Sequence, residues 1–230
     1  MTVRIKAGTV DFDRSRVEPR EAWLLPHRER LYRRTFKRVI DVAFVLLIAP
    51  FVLPMVLALC VLIALDGSSP FYTQLRVGKG GRTFRLWKLR SMVPDADERL
   101  ARHLADNEAA RMEWNAYQKL ASDPRITTLG LALRKTSFDE LPQLWNVLKG
   151  DMSLVGPRPM MPEQRDLYPG HAYYALRPGV TGPWQVSDRN TATFAQRAEF
   201  DTAYERNVSF ATDVRLLIAT VGVVLRGTGQ

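Results

Sequence analysis

Residues 42–65 read VAFVLLIAPFVLPMVLALCVLIAL. No charged or strongly polar side chain interrupts them, and as one helix about 24 residues reach about 36 Å, against about 30 Å of hydrocarbon in a bilayer. A soluble core helix rarely stays apolar on every face for this long, so the stretch predicts a membrane element. It is too long for the apolar core of a cleavable signal peptide, and no small-residue cleavage site precedes Asp66.

The flanks decide how this element sits. Arg28, Arg30, Arg33, Arg34, Lys37 and Arg38 precede it, and Arg76, Lys79, Arg82, Arg85, Lys88 and Arg90 follow it with no acid between Arg76 and Arg90. Basic flanks stay on the cytoplasmic side, which a straight span violates at one end. Pro50 and Pro54 each remove a backbone hydrogen bond and crowd the preceding turn. The sequence therefore predicts a re-entrant helix-break-helix hairpin with Pro50 or Pro54 at the break, entering and leaving by the cytoplasmic face. An ordinary kinked span is the alternative.

Averages conceal this segment. The 230 residues are 46% hydrophobic with a mean hydropathy of −0.17, composition that excludes disordered and collagen-like chains. Lys and Arg total 33 against 24 acids, a net charge of +9, which calls for an anionic partner: nucleic acid, phospholipid or a phosphorylated substrate. One Cys precludes an internal disulfide, and His27, His103 and His171 are too far apart for a Cys/His zinc site. Nucleic acid rests on charge alone, with no zinc-finger spacing, RNP motif or basic-region heptad behind it, so no nucleic-acid partner is expected.

Outward from the apolar run, the fold class reads as α+β and mainly helical: a monotopic membrane protein with interfacial amphipathic helices and a small cytoplasmic domain containing a β-hairpin. Residues 1–20 form a poorly ordered tail. Residues 21–66 combine a basic amphipathic helix, with Trp23, Leu24, Leu31, Tyr32 and Phe36 among arginines, and the membrane hairpin; such a helix suits anionic headgroups. Residues 67–230 form the cytoplasmic domain. In it, residues 71–89 alternate around GKGG at 78–81 as a β-hairpin, and no Walker loop is present. Residues 94–121 are helical, with Met112, Trp114, Tyr117 and Leu120 packed on the core or an interface. Residues 137–149 form a short helix stopped by Gly150, and Gly and Pro then punctuate a constrained loop to Pro183. Residues 193–207 and 213–226 close the chain as two helices, the second core or interfacial.

Chemistry concentrates in residues 134–159, RKTSFDELPQLWNVLKGDMSLVGPRP. Asp139 and Glu140 stand at a helix start, near its unpaired amides and positive dipole end. A structural explanation competes, because Ser137 followed three residues later by Glu140 is a capping box. Around the acids stand Arg134 and Lys135, and Arg158 is held between Pro157 and Pro159, whose fixed φ stiffens the loop. Acids for a divalent cation, cations for phosphoryl oxygens and a helix N-terminus for an anion are the parts of phosphoryl transfer.

Several long stretches resemble one family. They are Lys37, Arg38 and Asp41; SSPFYTQLRVGKGGRTFRLWKLRSM from Ser68; DPRITTLG from Asp123; TSFDELPQLWNVLKGDMSLVGPRP from Thr136; and RPGVTGPWQVSDRN from Arg177. Together they resemble the bacterial sugar transferases, the monotopic polyprenyl-phosphate phosphoglycosyl transferases. The short length and the stretch VVLRGTG at 223–229 look like the exopolysaccharide-initiating galactosyl-phosphate transferases.

The resemblance implies transfer of a sugar-1-phosphate, the sugar a hexose such as galactose or glucose, from a UDP-sugar to undecaprenyl phosphate, releasing UMP. It implies Asp139 as nucleophile, Glu140 as its assistant, Mg²⁺ as cofactor held by Asp139 and Glu140, and Arg158 as phosphate ligand, with Lys88, Arg90, Arg134 and Arg177 as further phosphate or nucleotide ligands. The implied location is the bacterial inner membrane with the catalytic domain facing the cytoplasm, among anionic lipids; a homo-oligomer is compatible with it. Two departures stand out. The family often has Gly where Asp188 stands, and Ser-Pro at the helix break where this chain has Ala49-Pro50. The alternative reading is a non-catalytic membrane-anchored adaptor whose basic face binds lipid or a partner and whose acids only cap a helix.

Overall fold

The computed structural model describes residues 4–6, 9–11, 31–117, 120–187, 194 and 196–225. The described residues are mainly helical, with three two-stranded sheets. Within the predicted tail, β1 (Arg4–Lys6) and β2 (Thr9–Asp11) pair antiparallel. Residues 12–30, including Trp23 and Leu24 of the predicted amphipathic helix, lie outside the described set, as does Asp188.

A π-helical turn, Tyr32–Phe36, runs directly into α1, Lys37–Ala64, giving one helix of 33 residues where the sequence predicts an interfacial helix and then a broken hairpin. Pro50 and Pro54 both lie inside α1. They stand four residues apart, so the backbone bonds they remove fall on one side of the helix and the ladder elsewhere carries it through. Among the described residues this is the one helix long and apolar enough to cross a membrane, and little of it is buried.

The predicted hairpin is present: β3 (Phe71–Val77) and β4 (Thr83–Leu89) pair antiparallel from Phe71↔Leu89 to Val77↔Thr83. The helix predicted over 94–121 is two, α2 (Ala96–Asp106) and α3 (Glu108–Tyr117). Asn107 divides them, its backbone extended and its Oδ1 accepting from Ala110 N at 3.0 Å, so it starts a new helix in place of continuing the old one. Met112 there is exposed, while Arg125 stacks over the Trp114 ring at 5.1 Å.

Next come α4 (Thr128–Thr136), a one-turn 3₁₀ segment (Phe138–Glu140) and α5 (Gln143–Lys149), which Gly150 ends at φ 89°, a conformation that favours glycine. The stretch predicted as constrained loop contains β5 (Ser153–Val155), α6 (Ala172–Ala175), β6 (Gly179–Thr181) and α7 (Pro183–Val186). β5 and β6 pair in parallel, Gly156 N donating to Thr181 O at 2.9 Å. The backbones approach so closely that a Cβ on Gly156 would stand 2.3 Å from Arg177 O and 2.8 Å from Gly179 N. α8 (Arg197–Arg206) and α9 (Phe210–Leu225) close the fold.

One core joins these elements, with Val45 of α1, Leu86 of β4, Val147 of α5, Val155 of β5, Tyr204 of α8 and Leu216 of α9 all buried in it. Both ends of α1 seat on this body. At the near end Asp41 accepts from Ser153 Oγ at 2.7 Å and from Leu154 N at 3.2 Å, while Arg38 donates to the carbonyls of Val147 and Leu148 that end α5. At the far end Ile63 packs with Leu89 and Leu133, and Arg90 donates to Ile63 O at 3.1 Å. Between the two seats Leu46, Leu47, Phe51 and Leu53 are exposed.

Candidate active site

Side chains alternate along a strand, so the even-numbered residues of the hairpin share one face. The register sets Tyr72 opposite Lys88, Gln74 opposite Leu86 and Arg76 opposite Phe84. Tyr72, Gln74, Arg76 and Lys88 line a cavity of about 520 Å³, whose wall also includes Arg134, Ser137, Asp139, Glu140 and Arg158. Asp97 and Arg125 line it too.

The carboxylates reach this wall by a turn that the capping-box expectation does not describe. Ser137 sits at φ 58°, a left-handed residue that ends α4, with its N–H donating to Arg134 O and no side-chain cap on the segment that follows. Pro142 lacks the N–H that a continuous helix from Ser137 would need, so α5 starts only after it. Asp139 and Glu140 therefore ride on an isolated 3₁₀ turn. Glu140 Oε1 accepts from Lys88 Nζ at 2.8 Å, and the same ammonium lies 3.5 Å from Asp139 Oδ2.

Asp139 is only 7% exposed. Burial pushes its carboxyl above the ordinary carboxylate range; the Lys88 charge pulls it back, and the Glu140 charge pushes it up again. A buried carboxylate held beside a single ammonium, facing a cavity, is a poised nucleophile or base. Two neighbouring carboxylates can also share a divalent cation with a bound diphosphate. Among the described residues no group of three or more His, Cys, Asp or Glu side chains forms a metal cage.

Of the basic residues singled out in the sequence, Lys88, Arg134 and Arg158 meet the acids at the cavity. Arg134 Nε donates to Ser91 Oγ at 2.9 Å. Arg158 lies over the Trp184 ring at 5.7 Å, and its loop is pinned where Gly179 N donates to Pro157 O at 2.8 Å. Arg90 also lines the cavity, but its guanidinium donates to Asp66 at 2.6 Å, to Ser69 O at 2.7 Å and to Ile63 O, tying the hairpin to the end of α1. Arg177 is not brought to the cavity; its Nε donates to Gly150 O at 3.0 Å. Sequence reasoning did not single out Arg76 as a cavity residue; the hairpin alternation carries the signal for it, on the face that bears Lys88.

The bacterial sugar transferase family matches residues 32–227. The chain is 44% identical over 208 residues to the UDP-galactose-lipid carrier transferase of Erwinia amylovora, covering 90% of this chain and 43% of that protein. It is 41% identical over 222 residues to the undecaprenyl-phosphate galactose phosphotransferase of Salmonella typhimurium, covering 94% of this chain and 47% of that protein. The chain thus spans about half the length of these two relatives. The exopolysaccharide production protein ExoY of Sinorhizobium fredii is nearer in length, 41% identical over 197 residues, 84% of this chain and 87% of that protein. With the family matched from the start of the long helix to the end of α9, the chain belongs to the bacterial sugar transferases.

Proposed function

We propose that the chain moves a sugar-1-phosphate, galactose-1-phosphate first among the candidates, from a UDP-sugar to undecaprenyl phosphate, as the first membrane step of exopolysaccharide synthesis. The observation that carries this reading is the buried Asp139, beside Lys88 and Glu140, on the wall of a cavity that Arg134 and Arg158 also line. The names of the relatives, one for a UDP-galactose carrier transferase and one for an undecaprenyl-phosphate galactose phosphotransferase, support the donor and the acceptor.

Two displacements account for the transfer. An Asp139 oxygen attacks the sugar-linked phosphorus, the bond from that phosphorus to the bridging oxygen breaks, and UMP leaves with the electron pair. A phosphate oxygen of the lipid then attacks the same phosphorus and returns Asp139 as its carboxylate. The Lys88 charge opposes the upward pull of burial on the Asp139 carboxyl. Arg134 and Arg158 offset charge on the transferring group. Asp139 and Glu140 would hold Mg²⁺ jointly with the diphosphate, and the ion would supply charge neutralisation on the phosphoryl oxygens.

In the same reading α1 is a re-entrant membrane hairpin, bent at Pro50 or Pro54, with the catalytic body at the cytoplasmic face of the bacterial inner membrane and its basic surface against anionic lipid. Support comes from the two ends of α1, which rest on one body while the apolar stretch between them is exposed.

The test is UMP release from UDP-galactose by the full chain with Mg²⁺ and undecaprenyl phosphate. Asp139→Asn should lower turnover by about 10³-fold or more. Full turnover by that variant would remove Asp139 from the nucleophile's place.

A further inference from the structure

A second, smaller recess adjoins the cavity. Arg76, Lys88, Glu140, Gln143, Arg158 and Gln185 bound it, and its volume is about 30 Å³. That is room for a small polar group and not for a sugar ring or a base. Arg76, Lys88, Glu140 and Arg158 also line the large cavity, so they form a wall common to both spaces.

The recess holds buried polar atoms that no described residue satisfies. Gln185 is 8% exposed, and among the described residues neither its Nε2 nor its Oε1 has a hydrogen-bond partner. Arg76 Nε is buried and unpartnered in the same way. The niche around Gln185 depends on a missing side chain: a Cβ on Gly182 would stand 3.0 Å from Gln185 Oε1. Charge is unbalanced too. Lys88 has Glu140 and Asp139, but among the described residues neither Arg76 nor Arg158 has a carboxylate within ion-pair distance. Burial, and then the charge of Arg158, pull the Arg76 guanidinium below its ordinary value. Buried donors left without partners destabilise a fold unless a ligand completes them, and two guanidiniums with no carboxylate in ion-pair contact, beside the single acid Glu140, favour an anion.

We propose that this recess is a phosphoryl subsite in which Arg76 and Gln185 join Arg158 as ligands to the phosphoryl oxygens. The proposal rests on the transferase reading for its substrates and adds two residues to it. The phosphoryl group comes either from the nucleotide-sugar or from the lipid phosphate.

Calorimetric titration of inorganic phosphate into the full chain in uncharged detergent tests it. Wild type should bind, and Gln185→Leu and Arg76→Lys should each weaken binding by about tenfold or more. Without phosphate, Gln185→Leu should melt about 2–4 °C higher than wild type, because it removes an unsatisfied buried amide. Gln185→Glu keeps the volume, puts a negative charge in the recess and should abolish binding. A selective rise in KM for UDP-galactose assigns the subsite to the donor; a selective rise for undecaprenyl phosphate assigns it to the acceptor. No phosphate binding by wild type, or unchanged affinity in the variants, overturns the subsite. If UMP release is normal in that case, the transferase reading stands without it. Loss of phosphate binding in the variants of a chain that releases no UMP leaves the subsite standing and removes the transferase reading.

Discussion

Asp201, on α8, is 4% exposed and accepts from the Tyr168 hydroxyl at 2.9 Å. Burial pushes its carboxyl up to about 7, against the opposing pull of Tyr168 and Arg197. Because the folded value lies above the ordinary 3.8, the folded chain holds this proton more tightly than the unfolded chain does. Stability from this group is complete below about pH 4 and drains as pH rises towards about 7. Asp201→Asn keeps an acceptor for Tyr168 and removes the titration, so its Tm should stay level across that window while the wild-type Tm falls; parallel slopes would contradict the assignment. The site is coupled to this cluster by stacking, since Arg197 lies 4.3 Å from the Trp184 ring that Arg158 also faces. At Lys88, replacement by Met should lower turnover about 100-fold. The acid limb of its pH–rate profile should move to higher pH, since the charge that pulls Asp139 down is gone. The acids and Arg158 were legible in the sequence because each lies in a dense local motif. The role of Ser137 was not, because a capping box and a left-handed turn share the same residues, and only the crossing of β4 against the 3₁₀ turn turns Glu140 towards Lys88.

At the scale of elements, two junctions hold the site in place. Asp213 of α9 accepts from Tyr32 at 2.7 Å and Tyr204 at 2.5 Å, and pairs with Lys37 at 2.5 Å, so the start of the long apolar helix is pinned to α9. Removing one partner from a buried pair leaves the other charge uncompensated. Asp213→Ala should therefore cost about 3–5 kcal/mol in denaturant unfolding, and Lys37→Met in the same chain should recover part of that loss. The second junction is Gly156, set against β6. Gly156→Ala should cost about 1–3 kcal/mol by forcing backbone apart, and should raise the donor KM by shifting the Pro157 to Pro159 loop that aims Arg158. The β-hairpin was readable from alternation, and Gly150 as a stop from its place after a basic helix end. The parallel pairing of β5 with β6 was not readable, because three-residue strands carry no period and their partner lies over twenty residues away.

For the whole molecule, the orientation of α1 is the deciding question. In a Cys60→Ser background, Leu31→Cys and Ser69→Cys flank the helix on its two sides. An impermeant maleimide applied to intact cells should label neither, and should label both once the membrane is opened; labelling of either from outside means a straight span. The sequence alone determined that the protein carries a helix long and apolar enough to cross a membrane, that its net charge is positive, and that two adjacent acids and several cations cluster in residues 134–159. Those are properties of composition and of neighbours along the chain, fixed by periodicity, charge and turn chemistry. Only the tertiary structure decided that Lys88 shares the acids, that Arg90 fastens α1, that Arg177 stays outside the cavity and that Gln185 is buried with no partner among the described residues. Each depends on residues distant in sequence meeting through sheet register and core packing, and no local pattern encodes which of many basic side chains will face the same space.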